Sequence, residues 1–147
     1  MNNNIGVTKV YLSTMKYFLF VFSIGMAFIP LRSYAVPGIY QCQVVSDAII
    51  KADGTLDIVK DSPRVAQTFA VIKKTGEMMG DVMDPMKNPK VLALGSEKNS
   101  YKVIWTQKAS GKNGVFMDYL NIDEFVKGTK KPFGFFSGSL LMSGFCE

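Results

Sequence analysis

A chain of 147 residues is enough for one domain and not for two. It has no histidine and only two cysteines, which removes Ser-His-Asp and Cys-His nucleophiles, histidine general bases and most zinc and haem ligation. Its formal charge of +5 sits mostly ahead of residue 36, a segment with three of the 17 basic residues and none of the 12 acids, so 14 face 12 beyond it, a net of +2. A nucleic-acid partner needs a concentrated basic face and is not expected here.

The amino-terminal region reads as a targeting segment. Met15-Lys16 precedes an apolar run from residue 17 to 31, and Arg32-Ser33-Tyr34-Ala35 follows. A basic start, a short apolar core and small residues at the −3 and −1 positions form the pattern of a cleaved secretory signal peptide. Cleavage is expected between Ala35 and Val36, giving a signal peptide over 1–35 and a single β-barrel-like domain over 36–147. The apolar run is shorter than the roughly 20 residues of a spanning helix, so no transmembrane anchor is expected after cleavage. The destination is the periplasm or the exterior.

Beyond residue 36, short β-rich runs recur with turn residues between them, and helical periodicity is nearly absent. A strand over 38–50 places Tyr40, Cys42 and Val44 on one face. Asp53-Gly54 signals a hairpin, with its return over 55–59. Residues 60–64 are a loop, 68–73 a strand, Lys74-Thr75-Gly76 a turn, and 77–82 a returning strand with a bulge at Gly80. Residues 83–89 are irregular. Strands follow over 90–94 and 100–107, the latter with Tyr101, Val103 and Trp105 on one face. A polar turn spans 108–114. The strand over 115–122 is apolar on both faces, and so is the one over 139–146. Asp123 is expected to cap one helical turn through Val126, and a basic loop over 128–132 leads to a final hairpin across Ser137-Gly138. The expected fold is an all-β antiparallel up-and-down meander of eight or nine strands, closed or nearly closed as a small barrel, with a two-sheet sandwich as the alternative. Cys42 and Cys146 read as a disulfide joining the first strand to the last.

Tyr40-Gln41-Cys42, Phe69-Ala70-Val71 with Thr75-Gly76, Lys131-Pro132-Phe133 and Ser143-Gly144-Phe145-Cys146 together resemble a group of small exported proteobacterial proteins of unknown function. The resemblance implies export and a disulfide-tied β fold, and no activity. Tyr40-Gln41-Cys42 also resembles the opening of periplasmic inhibitors of c-type lysozyme, themselves small β-barrels. The Ser-Gly-x-x-Tyr segment those inhibitors insert into the enzyme is absent, since neither Ser137-Gly138 nor Ser143-Gly144 is followed by the tyrosine.

Four sets of residues carry candidate chemistry. Met83-Asp84-Pro85-Met86 has thioethers at a spacing suited to copper(I), a soft ion, against a reading in which methionines fill core gaps. Asp118, Asp123 and Glu124 could supply the paired carboxylates of a hydrolase, against outward positions and a cap. Lys127, Lys130 and Lys131 beside Phe133, Phe135 and Phe136 could meet an anionic surface, against a solvated loop entering a core strand. The aromatic load from Tyr101 to Phe145 either fills a barrel or lines a ligand cavity, and the strands apolar on both faces ask for a cover: the Phe125 segment, a partner, or a second copy in a homodimer. The expected function is that of an exported non-enzymatic binding module for an envelope protein or a small apolar ligand, without a cofactor. Inhibition of a cell-wall lytic enzyme and carboxylate-dependent hydrolysis are the alternatives.

Overall fold

The structure is a computed structural model and describes residues 38–83, 86–108 and 114–147. The expected signal peptide, its Ala35–Val36 cut and most of the 108–114 turn lie outside them. The described residues form one antiparallel sheet of nine strands and no helix. These are β1 (Ile39–Ile50), β2 (Leu56–Ile58), β3 (Thr68–Ile72), β4 (Met78–Met79), β5 (Pro89–Ser96), β6 (Asn99–Lys108), β7 (Val115–Ile122), β8 (Lys131–Ser137) and β9 (Leu140–Cys146). A single sheet excludes the two-sheet sandwich. Its order is β4-β3-β1-β9-β8-β7-β6-β5, with β2 on β1 off this path, and it curls into a half-barrel around one core.

The order departs from a plain meander at the start of the chain. β1 is long enough to serve two partners on one edge: Ile39 to Gln43 pair with β3, and Ala48 to Ile50 pair with β2. Its other edge pairs with β9 from Cys42 to Ile49. The gap between β2 and β3 is covered by the loop between them, whose Gln67 carbonyl accepts from Val44 N–H and whose Ala66 N–H donates to Val44 O. First and last strands are therefore neighbours, as expected. The free edges are β4 and β5, in the middle of the chain, so the disulfide does not close the seam. The β3–β4 turn presses into that seam. A Cβ on Gly76 would lie 2.6 Å from Val103 Cγ2, 3.2 Å from Val91 Cγ2 and 3.3 Å from Pro89 Cβ. Its φ of +76° asks for glycine independently.

Alternation builds the core as stacked rows, because residues opposite one another across strands share a face. One row runs Val103, Leu120, Phe135, Met142 and Asp47, and the next Tyr101, Ile122, Phe133, Gly144 and Val44. All ten are buried. A register shift between Val44 and Ser46 makes Val45 a bulge, and one extra residue reverses every side chain beyond it. The bulge thus turns Asp47, rather than Ser46, into the barrel. The second bulge falls between Val91 and Ala93, and not at Gly80, which instead packs with φ +128° against Phe69. Lys131 and Pro132 belong to β8 rather than to a loop. Asp123 to Val126 form a turn, closed by Val126 N–H to Asp123 O at 3.1 Å, and not a helical cap.

Cys42 and Cys146 face each other in register and are bonded, with Cα atoms 3.9 Å apart. The adjacent pair, Gln41 and Glu147, exchanges both backbone hydrogen bonds, at 3.0 and 2.8 Å. Strict alternation makes the cysteines a non-hydrogen-bonded pair, the kind in which side chains come closest. A disulfide of this kind persists in an oxidising compartment. Among the described residues no helix is long and apolar enough to cross a membrane.

Candidate functional site

The two ends of the half-barrel differ. At the end past Ile122, the Asp123–Val126 turn folds under the core and closes it. Glu124 accepts a hydrogen bond from the Tyr40 hydroxyl and another from Lys73 Nζ at 3.2 Å. Lys73 also lies 4.0 Å from the centre of the Tyr40 ring, a cation–π contact. Lys131 Nζ donates to the Glu124 and Val126 carbonyls at 3.0 and 2.6 Å, holding the turn in place. Burial alone would raise the Glu124 carboxyl, but the Tyr40 and Lys73 hydrogen bonds and the Lys73 and Lys131 charges outweigh it and lower it below the ordinary value. The Tyr40 hydroxyl is raised by burial, then by its bond to Glu124. Burial pushes Tyr101, whose hydroxyl has no partner, up to about 12. Every polar member except that hydroxyl is engaged, which is the character of a plug.

The opposite end is an open mouth. In register, Trp105 opposes Asp118, Asp118 opposes Ser137, and Ser137 opposes Leu140. Gln107 and Phe116 form a further row toward solvent. All of these except Leu140, with Met83, Met86 and Lys87 from the segment before β5, border a cavity of about 720 Å³. That volume lies within the usual range of small-molecule sites. Trp105 is its floor, 1% exposed and packed beside Phe135 with ring centres 6.3 Å apart. Its indole N–H has no acceptor. Phe116 stands on the inward face yet is 65% exposed, an aromatic ring held over the cavity rather than in the core.

The sequence-level candidates separate across these two ends. Asp118 lies at the mouth, while Asp123 and Glu124 lie past the far end of the same strand, about 16 Å away at ~3.3 Å per residue. Asp123 is occupied by the Ser100 hydroxyl and the Asn121 amide, at 2.9 and 2.7 Å. At that separation Asp118 is too far from either Asp123 or Glu124 to form a carboxylate pair of glycosidase spacing. Met83 and Met86 both border the mouth and pack against the core, with the two residues between them outside the described set. Among the described residues no group of three His, Cys, Asp or Glu could hold a metal ion. Lys131 is spent on the turn, and Phe133 and Phe135 are buried, which leaves Phe136 outward. Tyr40 and Cys42 are core residues, each 1% exposed.

Two features were not singled out from the sequence. Asp47 is buried and accepts from the Ser62 hydroxyl and from Arg64 NH1, the latter at 3.2 Å, while its Oδ1 has no partner. This pins the loop between β2 and β3 to β1. The outer face also carries an apolar belt linked by register from Ile58 through Ala48, Leu141, Phe136 and Tyr119 to Ile104. The double-sided apolar strands predicted such a face. Phe125, a candidate cover, is itself 48% exposed. Comparison of the chain with protein-family models, characterised proteins and solved structures finds no match.

Proposed function

We propose that the protein is an exported, non-enzymatic binding module that holds a small, largely apolar ligand in the mouth of its half-barrel. The observation that carries this reading is the cavity of about 720 Å³ floored by Trp105, with Phe116 exposed on its inward side. A barrel that only needed a core would have no use for an inward aromatic left in water, because burying such a ring gains about 2–3 kcal/mol. Export is supported by the buried disulfide and by the signal-peptide pattern ending at Ala35. It is tested by the intact mass of protein recovered from the periplasm or medium, which should correspond to a chain starting at Val36.

Trp105 is the only tryptophan, so binding has an internal reporter. Titration with N-phenyl-1-naphthylamine, a neutral apolar fluorophore, should saturate at one site with energy transfer from Trp105. Phe116→Asp should weaken it several-fold. A signal that fails to saturate, or that ignores the Phe116 change, would sink the reading. A second reading, a protein partner or second copy on the outer face, is favoured by the apolar belt through Ile58, Leu141 and Phe136. Sedimentation over a hundredfold range of concentration tests the homodimer, and a monomer throughout would remove it. Inhibition of a lytic enzyme draws on Tyr40-Gln41-Cys42, whose Tyr40 and Cys42 are in the core; a lysozyme turbidity assay decides it.

A further inference from the structure

The cavity reading leaves the charge of the ligand open, and the mouth carries one group that bears on it. Asp118 is the only acid bordering the cavity among the described residues. Strand register sets it on the inward face, directly between Trp105 and Ser137. It is half-buried, and no Lys or Arg among the described residues lies within ion-pair distance of it; the ion pairs found are Arg64–Asp47 and Lys73–Glu124. Lys87 borders the mouth too, but it is exposed, and its backbone carbonyl accepts the Thr106 N–H at 3.2 Å.

A ligand filling this mouth would cover Asp118 and strip part of its hydration. For a neutral ligand that loss is uncompensated, and for an anion repulsion is added to it. A cation returns the lost solvation as an ion pair. The other walls suit the same species. The exposed Phe116 ring attracts alkylammonium groups through its π face. The thioethers of Met83 and Met86 are soft, adaptable surfaces for an apolar body.

Resting on the proposed mouth site, we infer that its ligand class is an organic cation, an amine or quaternary ammonium group on an apolar body, with Asp118 as the countercharge. The test compares three probes of one chain length below their micellar concentrations: octyltrimethylammonium, 1-octanol and octyl sulfate. Each is titrated against Trp105 fluorescence and checked by calorimetry at low salt. Octyltrimethylammonium should bind about tenfold more tightly than 1-octanol, with octyl sulfate weakest. Asp118→Asn should bring the cation to the level of the alcohol. Asp57→Asn, on the distant β2, should keep the preference, and thermal unfolding verifies that both variants fold. Equal affinity for all three probes would overturn the cation assignment while leaving the cavity reading intact. A preference that survives Asp118→Asn would overturn the role given to Asp118. If no probe binds, the cavity reading fails and the inference fails with it.

Discussion

Removing the Cys42–Cys146 bridge should lower the thermal midpoint by about 20 °C without dissolving the fold. The two cysteines are 104 residues apart in sequence, and in the chain-entropy model a cross-link of that length restrains the unfolded chain by about 4.7 kcal/mol. Unfolding about 110 residues gains roughly 230 cal/mol/K at the midpoint, so this loss corresponds to about 20 °C. The folded state is less dependent on the bond. β1 and β9 remain paired from Cys42 to Ile49, and Gln41 and Glu147 exchange two backbone hydrogen bonds beside it. The effect therefore acts through the unfolded ensemble. Reduced wild type isolates it, since the thiols keep nearly the volume of the disulfide. Cys42→Ala with Cys146→Ala adds the loss of two buried sulfurs, on the order of 1 kcal/mol each. Both sulfurs lie in the core, so reduction has to be carried out in denaturant and followed by refolding in reductant. Calorimetry of the oxidised, reduced and double-alanine proteins, with urea titrations alongside, measures the difference. The urea dependence should steepen without the bond as the unfolded chain expands. A reduced protein melting within about 5 °C of the oxidised form would refute the reasoning.

Three further outcomes are expected. Gly144→Ala should destabilise by about 3 kcal/mol in urea titration, because its Cβ would sit 2.0 Å from the Gln43 carbonyl oxygen and 2.8 Å from Phe133 Cε1, and β9 would have to move off β1; a change under 1 kcal/mol would contradict the packing. Trp105→Phe should alter stability by less than about 1 kcal/mol. The roughly 1 kcal/mol cost of a cavity of about 40 Å³ is offset by removing a buried N–H with no acceptor, and a loss above 3 kcal/mol would show the N–H to be satisfied. Stability should fall at both ends of the pH scale. Glu124 has a lowered folded value, so its contribution is present above the unfolded carboxyl value and lost as pH falls through the folded one. Tyr40 and Tyr101 are raised, so their contribution is present below about pH 10 and lost as pH rises toward their folded values. In denaturation from pH 3 to 7, Glu124→Gln should flatten the acid limb, and an unchanged slope would exclude Glu124 as its source.

The motif residues acquire distinct physical roles in the fold. Ser143-Gly144-Phe145-Cys146 holds one position where no side chain fits and one that bonds to β1. Tyr40-Gln41-Cys42 supplies the hydroxyl for Glu124 and the other sulfur. Phe116 was legible only as part of a strand apolar on both faces, a signal that something lies beyond ordinary alternation. Its place over the mouth required knowing that β7 extends past the core there.

Local pattern alone determined the all-β class, nearly every strand, and the pairing of the only two cysteines, because alternation and turn chemistry act over a few residues. Tertiary structure decided where the sheet opens, which face Asp47 takes beyond the Val45 bulge, and the Tyr40–Glu124 contact across 84 residues of chain. It also decided which of the scattered methionines, aromatics and acids meet at one end. Those outcomes depend on which strand edges pair and in what register, and that choice is made by the core as a whole.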